Sequence, residues 1–216
     1  RELGNTINIV IITLLVSMSV YHFWASGFGL VREVLHRGIH ISFVIGLVFF
    51  LFSWKRKKNS SFFSFQNVDA IDYIFAFLAV SSALYLPLLP PEILAQRVGN
   101  PKTIDVFMGS ILIVLTLEAT RRSVGPTLPL ISIIFILFAI FGPYAPGALK
   151  HGGTSWLGFV NHIYITNQGV YGIAVGVMAQ YVFLFILFGV LATRVGLGKL
   201  FIDLSMLIAG KFSGGP

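Results

Sequence analysis

Long apolar runs fill most of the chain, separated by short breaks marked by charge, proline or glycine. A helix needs about 20 mainly apolar residues to cross a hydrocarbon core of about 30 Å. The pattern predicts six such spans: Asn5 to Trp24, Ile39 to Trp54, Ala70 to Leu89, Ile104 to Ala119, Val124 to Gly142 and Gly169 to Ala192. The first closes on Tyr21, His22, Phe23 and Trp24, side chains suited to the headgroup boundary. His22 is therefore expected at that interface, with a proton-relay role as the alternative. Asp69 and Asp72 open the third span, where carboxylates cap free N–H groups and complement the positive end of the helix dipole. An acid–base or metal pair is the other reading of those two. Thr103 and Asp105 are placed to start the fourth span in the same way. Pro126 falls in the first turn of the fifth, where a missing N–H costs nothing, and Gly142, Pro143, Pro146 and Gly147 end it. Gly169, Gly172 and Gly176 open the sixth, small residues that let another helix approach closely. Gln180 is expected to face protein, because its amide needs partners.

Three further stretches are too short or too charged to span, yet carry an apolar face at helical period. In Phe28 to Arg37 the apolar face is Phe28, Val31, Val34 and Leu35, while Arg32, Glu33, His36 and Arg37 lie opposite. Those four are candidate residues of a surface facing a soluble partner on the outer side, a plain solvated face being the alternative. Ser155 to Tyr164 is predicted to lie along the membrane on Trp156, Val160, Ile163 and Tyr164, with Asn161 and His162 solvated. Lys199 to Gly210 pairs Lys199 with Asp203 at i, i+4 and sets Phe201, Leu204 and Ile208 opposite. The fold class is all-α: a polytopic membrane protein with about six transmembrane helices and two or three interfacial ones.

Composition agrees with that reading. Charged residues make up 11% of the 216, against about 25% in soluble domains, and mean hydropathy is +0.88. The net charge of +7 comes from Lys and Arg at the ends of apolar runs, so it reads as a topology signal and not as a nucleic-acid footprint. Lys55-Arg56-Lys57-Lys58 resists translocation most strongly. With that end inside, Arg1, Lys55, Arg56, Lys57, Lys58, Arg121, Arg122, Arg194, Lys199 and Lys211 are inner, and Arg32, Arg37, Arg97, Lys102 and Lys150 are outer. Both ends of the segment are then predicted to be cytoplasmic. The first run is longer than a signal-peptide core and lacks a clean cleavage site, which predicts a retained helix. The chain is expected to continue beyond both Arg1 and Pro216.

Candidate chemistry is sparse. Glu118 has Arg121 and Arg122 at i+3 and i+4, which predicts a salt-bridged inner clamp whose arginines hold anionic lipid headgroups. With no cysteine, thiolate chemistry is excluded. No phosphate-binding glycine loop, H-E-x-x-H or G-x-S-x-G occurs in the sequence. No catalytic or metal-ligating residue is assigned, and the chain is read as something other than an enzyme. Residue patterns alone describe a multi-span membrane protein, an accessory subunit or part of a transporter.

Several blocks add to this. Thr103-Ile-Asp-Val-Phe-Met-Gly, Leu117-Glu-Ala-Thr-Arg-Arg-Ser-Val-Gly and Phe141-Gly-Pro-Tyr-Ala-Pro-Gly resemble the fused membrane subunit of tripartite ATP-independent periplasmic (TRAP) transporters, most nearly the type that works with TAXI-family binding proteins. Gly27-Phe-Gly-Leu, Tyr171-Gly-Ile-Ala-Val-Gly and Phe201-Ile-Asp-Leu fit the same pattern. The resemblance implies a four-span small-subunit-like unit over 1–123, a linking helix over 124–147 and the start of a permease part over 148–216. It also implies a bacterial or archaeal inner membrane, a periplasmic binding protein as partner, an organic acid or similar solute, and Na⁺ as coupling ion. Substrate and ion ligands would lie beyond Pro216, in the remainder of the permease chain. A stand-alone accessory membrane subunit without transport activity is the alternative.

Overall fold

The computed structural model describes residues 5–29, 31–54 and 68–209. The Lys55 to Lys58 run, the loop after it, and Gly210 with the residues that follow lie outside that set. Among the described residues there are helices and turns and no strand. The helices are α1 (Asn5–Phe28), α2 (Glu33–Leu51), α3 (Ala70–Tyr85), α4 (Pro91–Arg97), α5 (Thr103–Ser123), α6 (Thr127–Ile140), α7 (Trp156–Val160), α8 (Ile173–Val177), α9 (Phe183–Val195) and α10 (Leu197–Ala209). A π-helical turn at Asn161–Ile165 extends α7, and another at Met178–Val182 joins α8 to α9. The joined helix, Ile173–Val195, is 23 residues long.

Four helices are long and apolar enough to cross a membrane: Ile7–Phe28, Glu33–Leu51, Thr103–Ser123 and Ile173–Val195. Ala70–Tyr85 and Thr127–Ile140 are apolar but shorter. The chain is an all-α polytopic membrane protein, as its apolar runs predict.

The core sits between α2, α3 and α5. On α3, Ala76, Ala79 and Ala83 recur at helical spacing and are buried. Their small side chains bring the backbone of α2 close, which is how helices pack where lipid supplies no hydrophobic driving force between them. Phe49 of α2 and Leu112 of α5 fill the space that remains, both with no exposed surface. By contrast, α1 buries only a thin stripe, Ile11, Met18 and His22, one or two turns apart. Gly196 ends α9 in the left-handed region at φ 84°, where glycine carries no Cβ penalty. There the chain turns into α10, which is exposed from Gly198 to Ile208.

Two predicted interfacial segments are something else. Phe28 to Arg37 is not one helix: α1 runs through Phe28, the chain breaks, and Glu33 opens α2, which continues to Leu51. An acid in that first turn complements the helix dipole. Ser155 to Tyr164 is docked on the bundle, with Val160, Tyr164 and Ile165 buried in the main core. Gly109 of α5 makes room for it, because a Cβ there would sit 2.6 Å from Val160 and 2.8 Å from Tyr164. The aromatic residues predicted to sit in the headgroup belt are thus partly core pins.

Candidate functional site

The last turns of α5 carry Glu118, Arg121 and Arg122 on one side of the helix, cations that also suit the negative end of its dipole. Arg122 donates from Nε to Glu118 Oε1 at 2.6 Å and from Nη1 to Asp72 Oδ1 at 2.6 Å. Its Nη1 also reaches the Phe52 carbonyl at 3.3 Å. The side chains of Arg122 and Asp72 are both fully buried. Phe49, Trp54 and Phe75 surround the guanidinium at 4.9, 5.4 and 5.6 Å, so its charge is met by ring faces as well as carboxylates. Arg121 grips the same Glu118 with two bonds, 2.7 and 2.8 Å, and lies 5.0 Å over Trp54. This network ties the end of α5 to the end of α2 and the start of α3.

Glu118, Arg121 and Arg122 are therefore ion-paired with one another, and Asp72 joins them. Asp72 stands in the first turn of α3, as expected, and its carboxylate also meets Arg122, while Asp69 makes no side-chain cap hydrogen bond. The two arginines also differ. Arg121 keeps 38% of its side-chain surface exposed, so it can meet a headgroup, whereas Arg122 has none.

At the other end of α2 the four residues proposed as a partner-facing surface divide. Arg32 and Glu33 are exposed, but His36 and Arg37 are buried. A side chain at the second turn of α2 faces the bundle, not the outside, which corrects the expected surface to Arg32 and Glu33. Arg32 donates to the Pro87 and Leu89 carbonyls at 3.2 Å each. Arg37 donates to the Tyr171 carbonyl at 2.6 Å and pairs with Glu33. Its guanidinium lies over Gly176, where a Cβ would meet it at 2.8 Å. The small residue four positions from Gly172 thus admits the Arg37 side chain where α2 packs on α8.

Tyrosines complete this joint. Tyr164 donates to the Ser82 carbonyl at 2.6 Å and Tyr171 to the Ala83 carbonyl at 2.9 Å, both rings buried. Burial raises both phenol pKa values above the ordinary range, so both stay protonated donors. Nearby, Asp105 accepts from Arg97 at 2.5 Å, Tyr85 at 2.8 Å and the Lys102 N–H at 2.7 Å. The bond to Asp105 raises the Arg97 pKa further. Asn161, expected to be solvated, accepts from the Gly99 N–H at 3.0 Å, while His162 is exposed. These bonds fasten residues 155–177 to α2, α3 and the loop after α4, and Trp156 Nε1 donates to Ser110 Oγ of α5 at 2.9 Å.

His22, expected at a helix end facing the headgroups, is fully buried inside α1 and bonds the Met18 carbonyl and His40. No group of three or more His, Asp or Glu among the described residues is placed to hold a metal ion.

Compared with known families, residues 111–216 match the model of the "Tripartite ATP-independent periplasmic transporter, DctM component". The matched stretch begins inside α5 and takes in α6 to α10. No curated protein and no solved structure matches the chain.

Proposed function

Because this chain belongs, through residues 111–216, to the DctM component family of TRAP transporters, we propose that it is the scaffold portion of an importer of organic acids or similar small solutes. A periplasmic binding protein, in our reading of the TAXI type, delivers the solute. A Na⁺ gradient drives its passage, and the end carrying Arg121 and Arg122 faces the cytoplasm. Residues 1–123 then act as the small-subunit-like unit, 124–147 as the link and 148–216 as the start of the permease part.

The observation that carries this reading is the buried joint between Arg37 and the Tyr171 carbonyl, with Tyr164 and Tyr171 bonded to α3. A segment fixed that way to the bundle suits a static frame, against which another domain moves. Arg121 at the opposite end offers a headgroup contact that would hold the frame at a set depth.

Uptake by the intact transporter in proteoliposomes tests this, with binding protein outside and an imposed Na⁺ gradient. Uptake should require both. Uptake indifferent to the binding protein would remove the TRAP mechanism, and indifference to Na⁺ alone would remove only the coupling ion.

A further inference from the structure

Three histidines meet where α1, α2 and the π turn before α9 come together. His22 and His40 face each other, Nε2 to Nδ1, at 2.9 Å. His22 Nδ1 is 2.8 Å from the Met18 carbonyl, which only accepts, so that nitrogen carries a proton. Neutral His22 therefore leaves Nε2 bare, and His40 Nδ1–H donates to it. His36 lies 5.3 Å from His22 by ring centroid, bonds Tyr21 Oη through Nδ1 at 3.0 Å and also bonds the Ala179 carbonyl. Phe183 of α9 covers His22 at 4.4 Å. Tyr21 on α1, Glu33 and Arg37 on α2, and Tyr181 on the π turn are the charged and titratable groups around the cluster.

Proton count decides the fate of this arrangement. A first added proton goes to His40 Nε2 and leaves the His22–His40 bond in place. A proton added to His22 Nε2 sets N–H against N–H at 2.9 Å in a buried site, and the bond is lost. Arg37, fixed beside His36, adds a like charge. An open-sided cavity of about 500 Å³ reaches the cluster at His36, walled by Ala25, Ser26, Gln180, Tyr181 and Leu184.

What the bond fastens is α1. Among its described side chains, only Ile11 and Met18 besides His22 are fully buried, with Ile7 and Leu14 half-buried beside them and Tyr21 bonded to His36, so the histidine pair is one of few fastenings. We propose that His22 and His40 form a proton-operated latch, closed while His22 Nε2 is bare and opened, releasing α1 from α2 and α9, when that nitrogen is protonated from the cavity side. The open form binds more protons than the closed one, so the closed form gains stability as pH rises.

Spin labels at Val20→Cys on α1 and Phe77→Cys on α3, both exposed and away from the cluster, report the distance between the two helices. The intact membrane component, in lipid nanodiscs, should give one narrow distance distribution near pH 8. On acidification toward about pH 5, the range in which histidines titrate, a second and broader population should appear. Its ratio to the first should rise about tenfold per pH unit while the open form holds one more proton. His22→Gln keeps a donor for Met18 and an acceptor for His40 but takes no second proton, and should stay closed throughout. His40→Gln, whose amide can turn its oxygen toward a protonated His22 Nε2 and so keep the bond, should also stay closed and serves if His22→Gln does not assemble. His151→Gln, outside the cluster, should respond as the wild type does. A wild-type distribution unchanged over this range would overturn the latch. So would a pH response that survives in His22→Gln and His40→Gln, or one lost in His151→Gln.

Discussion

Arg122 and Arg37 are both buried in the same bundle, one in the last turn of α5 and the other in the second turn of α2, and the protein meets their charges in different ways. Arg122 is matched by two carboxylates, Asp72 and Glu118, and by three aromatic rings. Arg37 spends its best hydrogen bond on a backbone carbonyl, Tyr171, and its one acid, Glu33, is 57% exposed. Carboxylate pairing in a buried site is tightly interdependent, because removing either member strands the other in low dielectric. Carbonyl pairing depends instead on where the backbone lies. The first device holds α2, α3 and α5 together; the second registers residues 155–177 on that bundle.

The largest effect should come from Arg122→Ala, which takes the Arg122 ion pair from buried Asp72 and leaves Glu118 to Arg121 alone. A loss of about 3–5 kcal/mol is expected, visible as a lowered thermal unfolding midpoint in nanodiscs. An unchanged midpoint would break the contrast between the two arginines. Next comes Gly176→Ala, whose methyl would press on the Arg37 guanidinium. It should cost about 1–3 kcal/mol by overpacking and should speed proteolysis in 155–177 while leaving the clamp end protected. Tyr164→Phe removes a single buried bond to Ser82, worth about 0.5–1.5 kcal/mol. Paired with Ser82 left intact, it should shift the same proteolysis more weakly. Glu33→Gln sits last. An exposed partner contributes about 0.2–1 kcal/mol, so denaturant midpoints should barely move; a loss as large as that of Arg122→Ala would mean Arg37 needs its acid after all.

Much of the fold was legible in the sequence because spanning helices announce themselves by length and apolarity. The Glu118, Arg121 and Arg122 cluster was legible too, since its members lie one turn apart on one helix. Asp72 was not: it stands 50 positions from Arg122, and a carboxylate near a helix start has a local explanation that hides a distant one. Arg37 is farther still from Tyr171, 134 positions. Periodicity put it on a polar face, and only the packed position of 155–177 shows that face to be covered. His22 and His40 come from different helices, so no spacing rule within one helix joins them. A buried aromatic and an interfacial one look alike in sequence, which is why Tyr164 was misplaced.

The shortness of α6 has a consequence for the membrane itself. Its 14 residues rise about 21 Å, roughly 9 Å less than an average hydrocarbon core. Tilting only shortens a helix's reach, so for α6 to cross, the lipid must come to it. Acyl chains beside Thr127–Ile140 would have to splay or compress, at a fraction of a kcal/mol for each ångström. The two halves of the protein would then be joined across a local dimple in the bilayer, and lipids with shorter tails would gather there in preference to longer ones.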